Sequence, residues 1–245
     1  MSKQPKTSYL ICATPRCGSS LLAEALKNTG IAGRPEEYFW RGDEAFWQER
    51  WGVTSYEEYF KEAIKQGTTP NGVFGAKVMW GYFDDFVSKL QQIPAYKEMS
   101  ACSLLSAAFP NLHYIQITRR DKVRQAISHW KAIQTGVWAL YTDGTPAMAS
   151  REPVFDFEAI DALAQEIMTH ESAWRDHFDR CGNQPFTVIY EELVTIYEET
   201  ALQILSYLGI QCPEHLAFTE RQLMQQADAL SEEWVKQYYH PKRVL

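Results

Sequence analysis

The sequence has no apolar run that approaches the length of a membrane-spanning helix. Residues 1–6 are short and polar, and the apolar stretch Tyr9–Ala13 behind them is too brief for a signal segment. Basic charge is also scarce: 24 Lys and Arg stand against 31 Asp and Glu, a formal net charge of −7. That argues against a nucleic-acid partner, since duplex-binding proteins carry a basic face. A small anionic ligand is still allowed, because a few local cations suffice for one. Cysteine is sparse and odd in number. Cys12, Cys17, Cys102, Cys181 and Cys212 form no CxxC pair and no Cys/His group with zinc spacing. They therefore read as reduced thiols, with no metal site, in a cytoplasmic protein. Internal repeats and low-complexity segments are absent. The one sizeable loop expected is Tyr141–Val154, where Asp143-Gly144-Thr145-Pro146 and Arg151-Glu152-Pro153 break structure. It reads as a lid or as a surface excursion.

What is present suits a single α/β domain across residues 1–245. Apolar residues make up 45% of the chain, enough for a real core, and the 13% aromatic content points to aromatic-rich packing or to a stacking pocket. Four apolar runs predict strands at Tyr9–Ala13, Val73–Trp80, Leu112–Thr118 and Phe186–Tyr190. The first is apolar on both faces, as a buried parallel strand requires. Helical periodicity predicts helices over Ser20–Thr29, Tyr56–Gln66, Tyr82–Gln91, Met99–Ala108, Lys122–Ile133, Phe157–Arg180, Tyr197–Leu208 and Glu220–Tyr239. Strands alternating with helices imply a mostly parallel central sheet flanked by helices, with ligands at the carboxyl ends of its strands.

The first strand runs into Thr14-Pro15-Arg16-Cys17-Gly18-Ser19-Ser20, and a helix follows. Free N–H groups of a first helical turn bind anions. Gly18 would let the backbone approach, Arg16 adds a charge, and Ser19 and Ser20 add hydroxyls. The alternative is an ordinary Ser-capped helix. A nucleotide-triphosphatase loop would need GxxxxGK[ST], and no Lys follows Gly18. The third strand ends at Thr118-Arg119-Arg120-Asp121, and the helix behind it carries Gln125, Ser128 and His129. Arg119 and Ser128 would grip a phosphate from two sides if the chain folds back. Alternatively, Arg119, Arg120 and Arg124 form a solvated face paired with Asp121.

The pairing of TPRCGSS with RRDKVRQAIS resembles the sulfotransferase superfamily, and more closely the bacterial trehalose-sulfotransferase family. Supporting stretches are YLICATPRCGSSLLAEALKNTGIAGRPEEYF, NGVFGAKVMW, TRRDKVRQAISHWKAIQTGVW and QADALSEEWVKQY, in the family's order over most of the chain. The Tyr190-Glu191-Glu192-Leu193 turn matches a common superfamily tail. The resemblance implies a nucleotide-kinase-like sulfotransferase fold. It implies an enzyme that moves the sulfuryl group of 3′-phosphoadenosine 5′-phosphosulfate (PAPS) to a hydroxyl of a small carbohydrate-like acceptor, without a metal. Arg16, Cys17, Gly18, Ser19 and Ser20 become the 5′-phosphosulfate loop, and Arg119 with Ser128 the 3′-phosphate clamp. A homodimer is the assembly often found in the family.

Gly33-Arg34-Pro35-Glu36-Glu37-Tyr38-Phe39-Trp40 sets two carboxylates in a Pro-kinked turn beside aromatics. The residues alone read equally as an exposed turn. The resemblance makes Glu37 the general base, with a pKa raised by apolar neighbours expected to suit it, and Glu36 a spectator or an acceptor ligand. Pro15, Arg34, Tyr38, Phe39 and Trp40 complete the expected acceptor surroundings. Lys77, inside an apolar strand, reads as a second cation at the sulfuryl group or as a side chain reaching solvent. Arg34 and Pro15 replace an acidic residue and a polar amide expected in trehalose-specific members, and Arg34 would draw an anionic acceptor. Trp138 is the candidate for stacking on adenine. Three other readings remain: a small-molecule kinase, for which the loop Lys is missing; a non-catalytic nucleotide-binding domain; and a thiol enzyme at Cys17, whose pKa a helix N-terminus would lower.

Overall fold

A computed structural model describes residues 4–140, 142, 152–224 and 228–240. The described elements run in the order β1 (Thr7–Ala13), α1 (Ser19–Asn28), α2 (Arg41–Trp51), α3 (Tyr56–Gly67), β2 (Val73–Met79), α4 (Phe83–Leu90), α5 (Ala101–Ala108), β3 (Leu112–Thr118), α6 (Lys122–Thr135), α7 (Phe157–Cys181), β4 (Phe186–Ile189), α8 (Tyr190–Leu193), α9 (Tyr197–Tyr207) and α10 (Ala229–Tyr239). The four strands form one sheet in the order β2-β1-β3-β4, and every pairing is parallel.

β1 lies at the centre because both of its faces are apolar. Leu10 and Cys12 pack into one core with Phe39, Phe60, Phe74, Phe86, Phe109, Trp174 and Phe178. Tyr9, Ile11 and Ala13 face a second core built with Leu22, Leu26, Ile204, Leu205 and Leu208 of α1 and α9. Alternate residues of a strand point to opposite faces, so one strand joins both layers. A smaller cluster of Ala126, Ile127, Ile160, Ala164, Ile167 and Trp234 binds α6, α7 and α10 together. Most of the aromatic content is consumed in the first core, where Phe39 and Phe86 stack at 4.5 Å and Phe74 and Phe109 at 5.6 Å.

The connection from β1 leads to β2 on one side, and the chain then crosses to β3 on the other. The carboxyl ends of β1 and β3 therefore flank the point at which the strand order reverses, where open α/β sheets bind ligands.

Three expectations are corrected. The final helix begins at Ala229, not Glu220. Residues 220–224 are instead extended over α1, because the buried carboxylate of Glu24 takes the N–H groups of Gln222 and Leu223 at 2.7 and 3.0 Å. Met224 N–H meets Leu140 O, and Thr142 N–H meets Gln222 O. The helix starts where Asp228 can cap it by accepting from Ser231 N–H. α2 was not expected, since its aromatic and charged residues show no buried stripe and none of them is fully buried. Cys102 and Cys181 are not free thiols: they form a disulfide between α5 and the end of α7. The support that reduced thiols gave to a cytoplasmic location is withdrawn with them. Among the described residues no helix is long and apolar enough to cross a membrane. The expected loop at 141–154 lies largely outside the described residues.

Candidate active site

The segment after β1 turns on two left-handed residues, Arg16 (φ 63°) and Gly18 (φ 96°), before α1 begins. Gly18 is required twice over: its φ is costly for any residue with a side chain, and a Cβ there would overlap the Tyr190 ring. Gly18 is also the N-cap of α1 and supplies no side-chain cap, and Gly18, Ser19, Ser20 and Leu21 of this helix start line the cavity in front of it, with the Ser19 N–H turned to the Cys17 sulfur. Buried Gln125 of α6 fixes the loop by donating to Thr14 Oγ1 at 2.9 Å and to Pro15 O at 2.7 Å. Trp174 of α7 donates to Ala13 O at 3.0 Å from the other side.

In front of this loop lies a cavity of about 620 Å³, within the usual range for small-molecule sites. Pro15, Arg16, Gly18, Ser19, Ser20, Glu37, Trp40, Lys77, Arg119 and Ser128 all line it. Residues separated by up to about half the chain therefore converge on the carboxyl edge of β1, β2 and β3.

The two halves of the expected anion site meet directly. Arg16 Nε donates to Ser128 Oγ at 3.0 Å, and the same guanidinium donates to the Trp138 carbonyl. Burial, with the nearby charge of Arg119, lowers the Arg16 pKa to about 10, so it stays cationic at neutral pH. Arg119 lies over the Tyr190 ring at 4.7 Å, and its buried Nε has no hydrogen-bond acceptor among the described residues. Arg120 and Arg124 behave differently. Arg120 is exposed and pairs with Glu192, whereas Arg124, paired with Asp121 and Glu232, also lines the cavity, as Arg119 does. Gln125 Oε1 and His129 Nδ1 are also buried with no hydrogen-bond partner among the described residues. Unpaired polar atoms in this loop-and-helix corner are what a polyanionic nucleotide would satisfy.

The turn expected to hold the acceptor is positioned by β2. Gly33 (φ 77°) approaches the strand so closely that a Cβ would lie 2.8 Å from Gly75 N. Beyond it Lys77 N–H donates to Glu36 O at 2.9 Å, and Glu36 bridges Ala76 in parallel. The two carboxylates then diverge. Glu36 pairs with Lys27 at 2.7 Å on the outside, while Glu37 pairs with Lys77 Nζ at 3.0 Å inside the cavity. Lys77 Nζ also reaches Ser20 Oγ at 3.3 Å. The surroundings of Glu37 are polar, not apolar as expected. Besides Lys77 it meets the Tyr82 hydroxyl, whose pKa is pushed well up by burial and then by the Glu37 charge, and Asp43 is also close.

Five expected residues are not brought to this cavity, Glu36 among them through its pairing with Lys27. Tyr38 and Phe39 are 3% and 2% exposed and belong to the aromatic core, where the Tyr38 hydroxyl donates to Arg34 O. Arg34 is exposed and is not among the residues that line this cavity. The Cys17 side chain is wholly buried in the core. Burial raises its pKa, which removes the thiol reading, since the desolvation outweighs the hydrogen bonds that lower it. The sequence reading assigned no role to Asp43, Tyr82, His129 or Tyr190. Only His129 had a usable signal: it follows Ser128, on the helix whose Gln125 faces the loop.

Comparison with known proteins decides the family. The family model described as Stf0 sulphotransferase matches residues 8–241. The chain belongs to the Stf0 sulfotransferase family. The trehalose 2-sulfotransferase of Mycolicibacterium smegmatis is 32% identical, with 97% of this chain and 96% of that protein covered. The trehalose 2-sulfotransferase of Mycobacterium tuberculosis is 30% identical over 94% and 93% of the two chains. A crystal structure of a sulfotransferase from Alicyclobacillus acidocaldarius superposes with a TM-score of 0.51 at 13% identity, covering 98% of this chain and 92% of that one, which supports the fold. In this Stf0 sulfotransferase, no group of three or more His, Cys, Asp or Glu among the described residues is arranged to hold a metal ion.

Proposed function

We propose that this Stf0 sulfotransferase, acting as a single domain over residues 1–245, transfers the sulfuryl group of PAPS to a hydroxyl of a small carbohydrate-like acceptor. The observation that carries the reading is the position of Lys77. One ammonium group touches Glu37 of the acceptor turn and Ser20 of the anion loop, so the base and the donor loop are joined by a single cation.

The donor fits the residues present. The N–H groups after Gly18, with Arg16, Ser19 and Ser20, hold the 5′-phosphosulfate. Arg119 and Ser128 hold the 3′-phosphate, and Trp138 at the cavity rim offers a face for the base. Trp40 and Pro15 line the acceptor side. In the reaction the acceptor oxygen forms a bond to sulfur as the bond from sulfur to the 5′-phosphate oxygen breaks. The hydroxyl proton passes to Glu37, and 3′-phosphoadenosine 5′-phosphate departs. Arg16 and Lys77 oppose the charge that develops on the sulfuryl oxygens and on the leaving phosphate. Positioning and electrostatics account for most of the acceleration, as in phosphoryl transfer. The sugar acceptor is supported by the trehalose 2-sulfotransferase relatives.

The direct test is to incubate the protein with PAPS and trehalose or related glycosides and to follow the acceptor by mass spectrometry. The reading expects acceptor-dependent release of 3′-phosphoadenosine 5′-phosphate together with a singly sulfated sugar. Acceptor-independent release, with no sulfated product, would contradict it.

A further inference from the structure

Beside the main cavity lies a second one of about 390 Å³. The two share Ser20, Glu37, Asp43, Lys77, Trp138 and Leu223, so the Glu37–Lys77 pair stands at their junction. The second cavity departs from the anion loop and runs between α1 and α2. It has a distinct charge balance. Glu24, Glu36, Glu37 and Asp43 line it against only Lys27 and Lys77.

The partners of these groups show which charges are already compensated. Lys27 is taken by Glu36, and Lys77 by Glu37. Glu24 accepts from the N–H groups of Gln222 and Leu223 and from the Tyr197 hydroxyl. Asp43, in the first turn of α2, is left with no ion pair or side-chain hydrogen bond among the described residues. Burial and the neighbouring Glu37 raise its pKa and the Lys77 charge offsets them only in part, so the carboxylate stands beside a like charge with its lone pairs open to the cavity. Trp47 and Trp138 supply apolar walls, and Arg34, the residue that would have drawn an anion, is outside both cavities.

We propose that Asp43 is a specificity-determining residue of the acceptor site: it accepts hydrogen bonds from a hydroxyl-rich ring and excludes acceptors that carry a negative charge. The inference rests on the sulfotransferase reading above and narrows its substrate class. A carboxylate with open lone pairs binds hydroxyl or ammonium hydrogens, whereas a second carboxylate beside it meets like-charge repulsion. Neutral and amine-bearing sugars are therefore accepted, and acidic sugars are rejected.

The test uses three matched methyl glycosides, of glucose, glucosamine and glucuronic acid, at saturating PAPS, with wild type and Asp43→Asn. Wild type is expected to show kcat/KM for the neutral and amino sugars at least about tenfold above that for the uronate, since like-charge juxtaposition at a recognition surface is strongly unfavourable. In Asp43→Asn the ratio of neutral sugar to uronate should fall toward unity, whatever the absolute rates. An unchanged ratio in the variant, or equal use of the uronate by wild type, overturns the inference. So does failure of all three to react while 3′-phosphoadenosine 5′-phosphate still binds, because the cavity would then not take such rings. Loss of that nucleotide binding in wild type would instead overturn the donor reading, so the two failures are distinguishable.

Discussion

Lys77 sits two residues before the end of β2, opposite Ile11 of β1, and yet its ammonium reaches the cavity. A long side chain does this by laying its methylenes along the sheet and carrying the charge to the polar edge. Glu37 is brought to it by backbone, through the bridge of Glu36 to Ala76. Removing the charge from either end of this arrangement should affect chemistry more than folding. A fixed donor aimed at developing charge is worth roughly 3 kcal/mol and a positioned general base typically about 10²–10⁴-fold, so Arg16→Ala and Glu37→Gln should each lower turnover by at least ~100-fold. Steady-state rates with a saturating acceptor check this, and near-normal turnover in either variant would remove that residue from the mechanism. Gly18→Ala should act differently. The added Cβ must displace Tyr190, on which Arg119 rests, so nucleotide binding should weaken along with turnover, as calorimetry would report. At this scale the meeting of Arg16, Arg119 and Ser128 at one cavity was legible because its signals are local: a strand, a turn and a helix start, with Arg and Ser at its mouth. Tyr38 and Phe39 were not. An aromatic pair next to a carboxylate reads alike whether it lines a pocket or fills a core, and only the packing of α3, α4 and β2 around Phe39 decides it.

The strands and most helices were readable from period and breakers, and the ends of β3, α3 and α6 fall within two residues of expectation. Failures arose where an element is set by tertiary partners. α2 has no fully buried residue and no clear stripe; Trp47 and Trp51 pack on Tyr38 and Tyr59 without making a periodic face. Residues 220–224 have helical composition but lose the helix to Glu24, a carboxylate nearly two hundred positions away. The disulfide was invisible for the same reason, since Cys102 and Cys181 are 79 residues apart. Closing so long a loop restricts the unfolded chain, and such bonds typically contribute about 2–4 kcal/mol. Cys102→Ser should therefore lower the urea midpoint, and a reductant should lower the wild-type midpoint while leaving the variant unmoved. Equal midpoints for wild type and variant in the absence of reductant would show that the bond does not form.

Across the whole molecule, a net charge of −7 coexists with a cavity in which Arg16, Lys77, Arg119, Arg124 and Arg221 face Glu37, Asp43 and Glu166. Local cations, not overall charge, decide whether a cavity can take an anion, which is why composition argues against a nucleic-acid partner but could not locate a donor site. Two imidazoles, His177 buried and His129 half-buried at the cavity, carry a global consequence. Burial, with Arg16 and Arg180 nearby, lowers the pKa of His129 and His177 to about 4. In the unfolded chain each takes up a proton near its ordinary value of about 6.5. Between those limits the unfolded state binds more protons, so stability should fall as pH drops from about 6.5 to about 4. Urea titrations across that range should show the decline, and His177→Gln should make it shallower; an equally steep decline in the variant would remove His177 as a contributor. The central claim is tested most directly by calorimetric titration with 3′-phosphoadenosine 5′-phosphate in the absence of metal, alongside ADP, and ATP with magnesium. The account predicts tight binding of the 3′-phosphorylated nucleotide, much weaker binding of ADP, and loss of the difference in Arg119→Ala. Magnesium-dependent ATP binding with no preference for the 3′-phosphate would contradict it.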